Sequence, residues 1–218
     1  MMMRVFLIAT LLFACGDDRA AAEPQKPAAP QPQKKAAPEP QKQATPMSEL
    51  KPTAAFRAHA AKALGAQVTE VNGGATDEAT AKSGANSVGN AWAYEMWFKD
   101  DHTRAVRGWA TPDGKVISPD DNLGLLFAEA GAFGKLSDDQ LSELSGKLAN
   151  LIVWSFGMGH RVVKDPMTKG PVLTAKQLTF VDGYKQAGPG GAGGGPETKS
   201  KITVELGANH TAKLTKTP

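Results

Sequence analysis

The chain predicts an α+β fold, with antiparallel sheet meanders packed against about three helices. Three observations carry this reading. Apolar residues recur at helical spacing in three segments. In several others they alternate with polar residues, as along a strand with one buried face. The strands also come in runs set apart from the helices, the arrangement of α+β domains rather than of βαβ units. The order is helix, three strands, two helices, then two or three strands, which allows two halves of helix plus meander.

The first helix spans Thr53 to Leu64, with Phe56, Ala60 and Leu64 on one face and Gly65 placed to cap it. Gln67 to Val71 alternates as a short strand and stops at Asn72-Gly73-Gly74. Residues 75–90 are small and polar and read as a loop. Trp92, Tyr94, Met96 and Phe98 then alternate along one strand face, with Ala91, Ala93, Glu95 and Trp97 on the other. Asp100-Asp101 turns the chain, Thr103 to Ala110 returns antiparallel, and Pro112-Asp113-Gly114 turns it again into a third strand, Lys115 to Ser118.

Ser118-Pro119-Asp120-Asp121 starts a helix that carries Leu123, Leu126, Phe127 and Phe133 and ends at Gly134. Ser137-Asp138-Asp139-Gln140 fits a capping box for the next helix, which carries Leu141, Leu144, Leu148, Leu151 and Ile152. Leu178 and Phe180 mark one late strand, and Ile202, Val204 and Leu206 another. Gly207-Ala208-Asn209 turns the chain once more, and Ala212 and Leu214 continue the apolar face. The globular domain is therefore placed at 48–214, with a glycine-rich loop at 188–196 and a tail at 215–218. That length is enough for one substantial core.

The N-terminus has a different character. Arg4 is followed by an apolar run from Val5 to Ala14, too short to span a bilayer, which takes ~20 residues. Cys15, the only cysteine of the 218 residues, comes next. Leu12-Phe13-Ala14-Cys15 resembles the lipobox of bacterial lipoproteins. The resemblance implies a signal peptide at 1–14, lipidation of Cys15 and a lipid-anchored protein of the cell envelope. Gly16 directly after the cysteine, with Asp17 and Asp18 further on, favours the outer membrane. Lipidation accounts for an odd cysteine and leaves none for a disulfide within the chain.

Residues 15–47 are dominated by Pro, Ala, Gln and Lys and repeat the unit Pro-Gln-Lys at 24, 32 and 40. Such a segment buries too little apolar surface to fold, and its prolines favour an extended tether reaching up to ~90 Å at about 3.1 Å per residue.

Motifs for chemistry are sparse. Gly188, Gly190, Gly191 and Gly193 spell G-x-G-x-x-G, but a strand rather than a helix follows, so the run reads as a hairpin loop and not as a phosphate cradle. The histidines are His59, His102, His160 and His210, and no two have helical metal-ligand spacing. No cofactor, metal or set of catalytic residues is predicted. His160 and Arg161 follow glycines at a helix end and fit a structural role against the helix dipole. The net charge of +3 gives no pointer to nucleic acid.

The aromatic cluster is the strongest pointer to function. Trp92, Tyr94, Trp97 and Trp109 gather beside Glu95, and aromatics next to a carboxylate suit a glycan or a protein partner. The expected function is thus a non-enzymatic binding or structural module tethered to the bilayer, its partner an envelope protein or cell-wall glycan. The alternatives are an envelope hydrolase using Asp100, Asp101 or His102 with another carboxylate, and a cell-wall-associated spacer. Two geometric points separate them. If three or more acidic and His side chains line one concave site, the binding-module reading loses to the hydrolase. A fully buried Trp97 removes the proposed contact face.

Overall fold

Pro52 sits in the first turn of helix α1 (Lys51–Leu64), where its missing N–H leaves no intrahelical bond unmade. The helix therefore begins two residues before the expected Thr53. Gly65 ends it in the left-handed region, at φ 63°. The computed structural model describes residues 49–164, 170–186 and 195–218. The leader, Cys15, the tether and most of the glycine-rich loop lie outside the described residues.

The described chain has four helices and two antiparallel sheets, an α+β fold. The first sheet has the order β1 (Val71–Gly73), β2 (Trp92–Phe98), β3 (Asp101–Ala110), β4 (Val116–Ile117), a meander. Where a strand was expected at Gln67–Val71, Val68–Glu70 makes a 3₁₀ turn closed by a Gln67/Glu70 capping box, and the strand starts at Val71. The expected loop at 75–90 holds a short helix, α2 (Glu78–Ser83), capped by the Asp77 carboxylate, which accepts from Thr80 N at 2.8 Å. Only Ala81 of that helix is buried, so its apolar periodicity is faint.

Helix α3 (Leu123–Glu129) begins later than Ser118-Pro119-Asp120-Asp121 suggests. The Ser118 hydroxyl accepts from Asp121 N at 3.1 Å, closing a local turn, and Asn122 takes the cap position at φ 53°. The helix also stops before Phe133. Helix α4 (Asp138–Phe156) matches its capping box: Ser137 Oγ accepts from Gln140 N, and Gln140 Oε1 accepts from Ser137 N at 2.9 Å.

The second sheet runs β5 (His160–Val163), β7 (Gln177–Tyr184), β8 (Thr198–Gly207), β9 (Thr211–Thr217), with β6 (Val172–Leu173) also paired to β7. Strands β5 and β6 are too short and too lightly buried to show in the pattern. Strand β9 passes the expected boundary at 214 because Thr215 and Thr217 pair with Thr203 and Lys201 of β8. β7 and β8 pair along their length, so the glycine-rich segment between them connects a hairpin.

Alternation sorts the side chains into layers. Trp92, Tyr94, Met96 and Ala110 of the first sheet pack on Phe56, Ala60 and Ala61 of α1. The opposite face of the same sheet, with Ala91, Trp109 and Ile117, joins a second cluster with α3, α4 and the inner face of the second sheet (Leu178, Phe180, Ile202, Val204). The layer order is α1, first sheet, α3 with α4, second sheet. The first sheet is thus apolar on both faces at one end. At its first turn α3 meets the turn between β8 and β9 so closely that a Cβ at Gly124 would overlap the His210 carbonyl.

Candidate functional site

The β2–β3 ladder places Ala93 opposite Trp109, Glu95 opposite Arg107 and Trp97 opposite Ala105. These six share the face turned toward α4. Trp109 is fully buried; its ring lies 5.5 Å from that of Trp154, and its indole N–H donates to Asn86 O at 2.8 Å. Helix α4 ends at Phe156, so the face beyond Trp109 is left open. Arg107 and Glu95 pair there at 2.6 Å.

The ladder slips at the hairpin end. Trp97 pairs with Ala105 and Phe98 with Asp101, so His102, Thr103 and Arg104 form a bulge. The bulge brings the His102 ring onto Trp97, at 4.2 Å between centroids. Arg104 goes to the α1 side, over the Phe98 ring at 4.3 Å.

Two depressions open on this uncovered ground. The wider, about 660 Å³, includes His59, Lys62, Asp120 and Asp121. The narrower, about 240 Å³, includes His102, Met158, His160 and Tyr184. Both are lined by Ala105, Arg107 and Phe156, which makes them two arms of one cleft. Gly157 and Gly159, at φ 106° and 87°, turn the chain at the mouth of the narrower arm and leave Met158 62% exposed between them.

The second sheet contributes a buried charge. Asp182 faces inward beside Phe180 and is 1% exposed. Its carboxylate is held by His160 Nδ1 at 2.9 Å and by Lys216 Nζ at 3.0 Å. Lys216 also stands 5.5 Å from the centre of the Phe156 ring. With Nδ1 engaged, Nε2 is the His160 ring nitrogen left for the cleft. His160 is therefore a strand residue held by a carboxylate, and its ring also stands 5.5 Å from that of Phe156 at the end of α4. A buried partner and strand pairing with Tyr184 fix its place.

The predicted contact residues separate into two groups. Trp92, Tyr94 and Trp109 are core side chains, at 3%, 1% and 0% exposure, and belong to no contact surface. Trp92 and Tyr94 lie under α1, and Trp109 under α4. Trp97 and Glu95 remain half-buried on the open face. Cys15 lies outside the described residues. The proposed catalytic carboxylates do not converge. Asp100 is exposed on the turn, and Asp101 accepts from the Thr103 amide and hydroxyl, which hold its carboxyl below the usual range.

The wider arm does bring His59, Asp120 and Asp121 together, the number set for a hydrolase. Burial lowers the His59 pKa, with Asp121 opposing and Lys62 adding to it. Both carboxylates are exposed, however, and no hydrogen bond joins either to His59 among the described residues. The histidine that a buried carboxylate does orient, His160, stands in the other arm. Among the described residues no three His, Cys, Asp or Glu side chains are grouped to hold a metal ion.

Arg107, Phe156, His160 and Asp182 were missed as site residues. Asp182 had a readable signal: with Leu178 and Phe180 it continues a period of two on an apolar face. The meeting of Arg107 with Phe156 depends on where α4 stops in space, which no local pattern shows. No protein-family model matches the chain, and no curated protein or solved structure matches it significantly.

Proposed function

We propose that the chain is a lipid-anchored protein of the cell envelope, held through Cys15 in the outer membrane, whose tethered domain binds a cell-wall or surface component in the cleft below α4. The observation that supports binding is the cleft itself: two arms meeting at Arg107 and Phe156, with His102 stacked on the half-exposed Trp97 at one rim. Aromatic faces beside a charged donor are what a glycan or partner segment uses. The lipobox-like Leu12-Phe13-Ala14-Cys15 supports the anchor, and no described helix is long and apolar enough to cross a membrane.

Membrane fractionation tests the anchor. The Cys15→Ser chain leaves the membrane fraction; a variant that stays there refutes lipidation at this residue. Crosslinking from a photoreactive residue at Met158 tests the cleft. Cell-wall or surface material is captured in wild type and lost with Trp97→Ala; capture that survives the substitution places binding elsewhere.

A second reading, hydrolysis, has its own observation: the pairing of His160 with the buried Asp182 in one arm, and His59 with Asp120 and Asp121 in the other. An oriented imidazole can act as general base. Turnover of ester or glycosidic substrates that falls with His160→Gln or His59→Gln favours this reading; no turnover in wild type favours binding alone.

A further inference from the structure

We propose that the narrower arm of the cleft takes the carboxylate of an acidic sugar, with Arg107 as the carboxylate's donor. This rests on the reading of the cleft as the binding site and adds the chemistry of what it binds.

Charge points to an anion. His102, Arg107 and His160 line the arm, and no carboxylate lines it. Asp182 lies behind His160 and is already engaged by His160 and Lys216. Arg107 gives one nitrogen, Nη2, to Glu95. A guanidinium has five N–H donors in a planar fork, so this pairing leaves most of them unused. The Nε–H is shut off from solvent, and so from a ligand. Nη1 is the nitrogen at the wall of the arm, 3.8 Å from where a Cβ of Gly157 would stand, and a second carboxylate against its donors makes a charge-assisted pair.

Shape points to one ring. About 240 Å³ is below the ~300–1,000 Å³ that drug-sized ligands occupy. The walls are aromatic: the Phe156 and Tyr184 rings both stand against His160, with ring centroids at 5.5 and 4.6 Å, and His102 is backed by Trp97. Faces of this kind hold the flat C–H side of a sugar, while the charge at Arg107 selects the acid.

The test is calorimetric titration of the full chain in detergent with N-acetylmuramic acid and with N-acetylglucosamine, which differ by a lactyl carboxylate. The acid binds about tenfold more tightly or better, the ratio expected of one charge-assisted contact. Arg107→Gln removes the preference while the affinity for the neutral sugar stays, which also shows that the variant is folded. Equal affinities for the two sugars, or a preference that survives Arg107→Gln, overturn the inference and leave the cleft as a glycan site. Binding of neither sugar overturns the inference, and the crosslink from Met158 then decides whether the cleft binds another surface component or nothing. Inorganic phosphate that displaces the acid at equal affinity overturns the sugar and leaves a bare anion site.

Discussion

The two ends of the β2–β3 ladder are built from the same two strands and meet different fates. At one end Trp109 is sealed under Trp154 of α4 and donates its indole N–H to a backbone carbonyl. At the other, Trp97 rests on a bulge histidine and stays half exposed, with a salt bridge between it and the covered end. The difference lies in the helix: α4 reaches Phe156 and stops. A tryptophan on a strand becomes core or surface according to whether a neighbouring layer extends over it. Residue type alone does not decide.

Truncating the two tryptophans tests this contrast most strongly. Trp109→Ala empties a fully buried site and leaves Asn86 O without its donor, so chemical denaturation should show a loss of about 4 kcal/mol. Trp97→Ala should lose only about 1 kcal/mol, since part of its surface is already in water. Similar losses at both positions would erase the distinction between the two ends.

The next largest effect concerns the charge buried beside the open end. Lys216→Ala leaves the buried Asp182 carboxylate with His160 as its remaining partner, and unfolding should be easier by about 3 kcal/mol. Asp182→Ala removes that buried charge, and Lys216, partly solvated, can turn to water, so it should have the smaller effect of the two. Ser137→Ala removes the cap of α4 at the end away from the cleft and should lower stability by about 1 kcal/mol, with ligand binding unchanged.

The smallest effect is a pH dependence at His59. Its folded pKa lies below the ordinary 6.5, so the unfolded chain binds the proton first as pH falls. Wild-type stability should therefore decline as pH drops through 6.5 toward the lower folded value, and a His59→Gln variant should lose that part of the slope. An unchanged slope in the variant would show that Asp120 and Asp121 offset the burial of the ring.

Where packing is local, the sequence was readable. Phe56, Ala60 and Leu64 mark α1, the Ser137/Gln140 box marks α4, and the alternation from Trp92 to Phe98 marks β2, because each signal lies within a few residues. The cleft was only half readable. Trp97 and Glu95 were legible as the second face of a strand, but Trp92, Tyr94 and Trp109 carry the same aromatic signal and lie under helices. Alternation shows which side chains share a face and says nothing of what covers it. The pairing of His160 with Asp182 joins residues 22 apart across strands, a relation that only the register of β5 on β7 creates.

The bulge at His102, Thr103 and Arg104 also bears on changes in chain length. His102 and Arg104 stand two residues apart, a spacing that puts both side chains on one face of a regular strand. Here they part, His102 onto Trp97 and Arg104 over Phe98. A deletion that lets the tip pair regularly would return the two to one face, so the cleft would either lose its imidazole rim or gain a guanidinium beside it. Composition and overall topology would hardly change, and Arg107 and Phe156 would be left untouched.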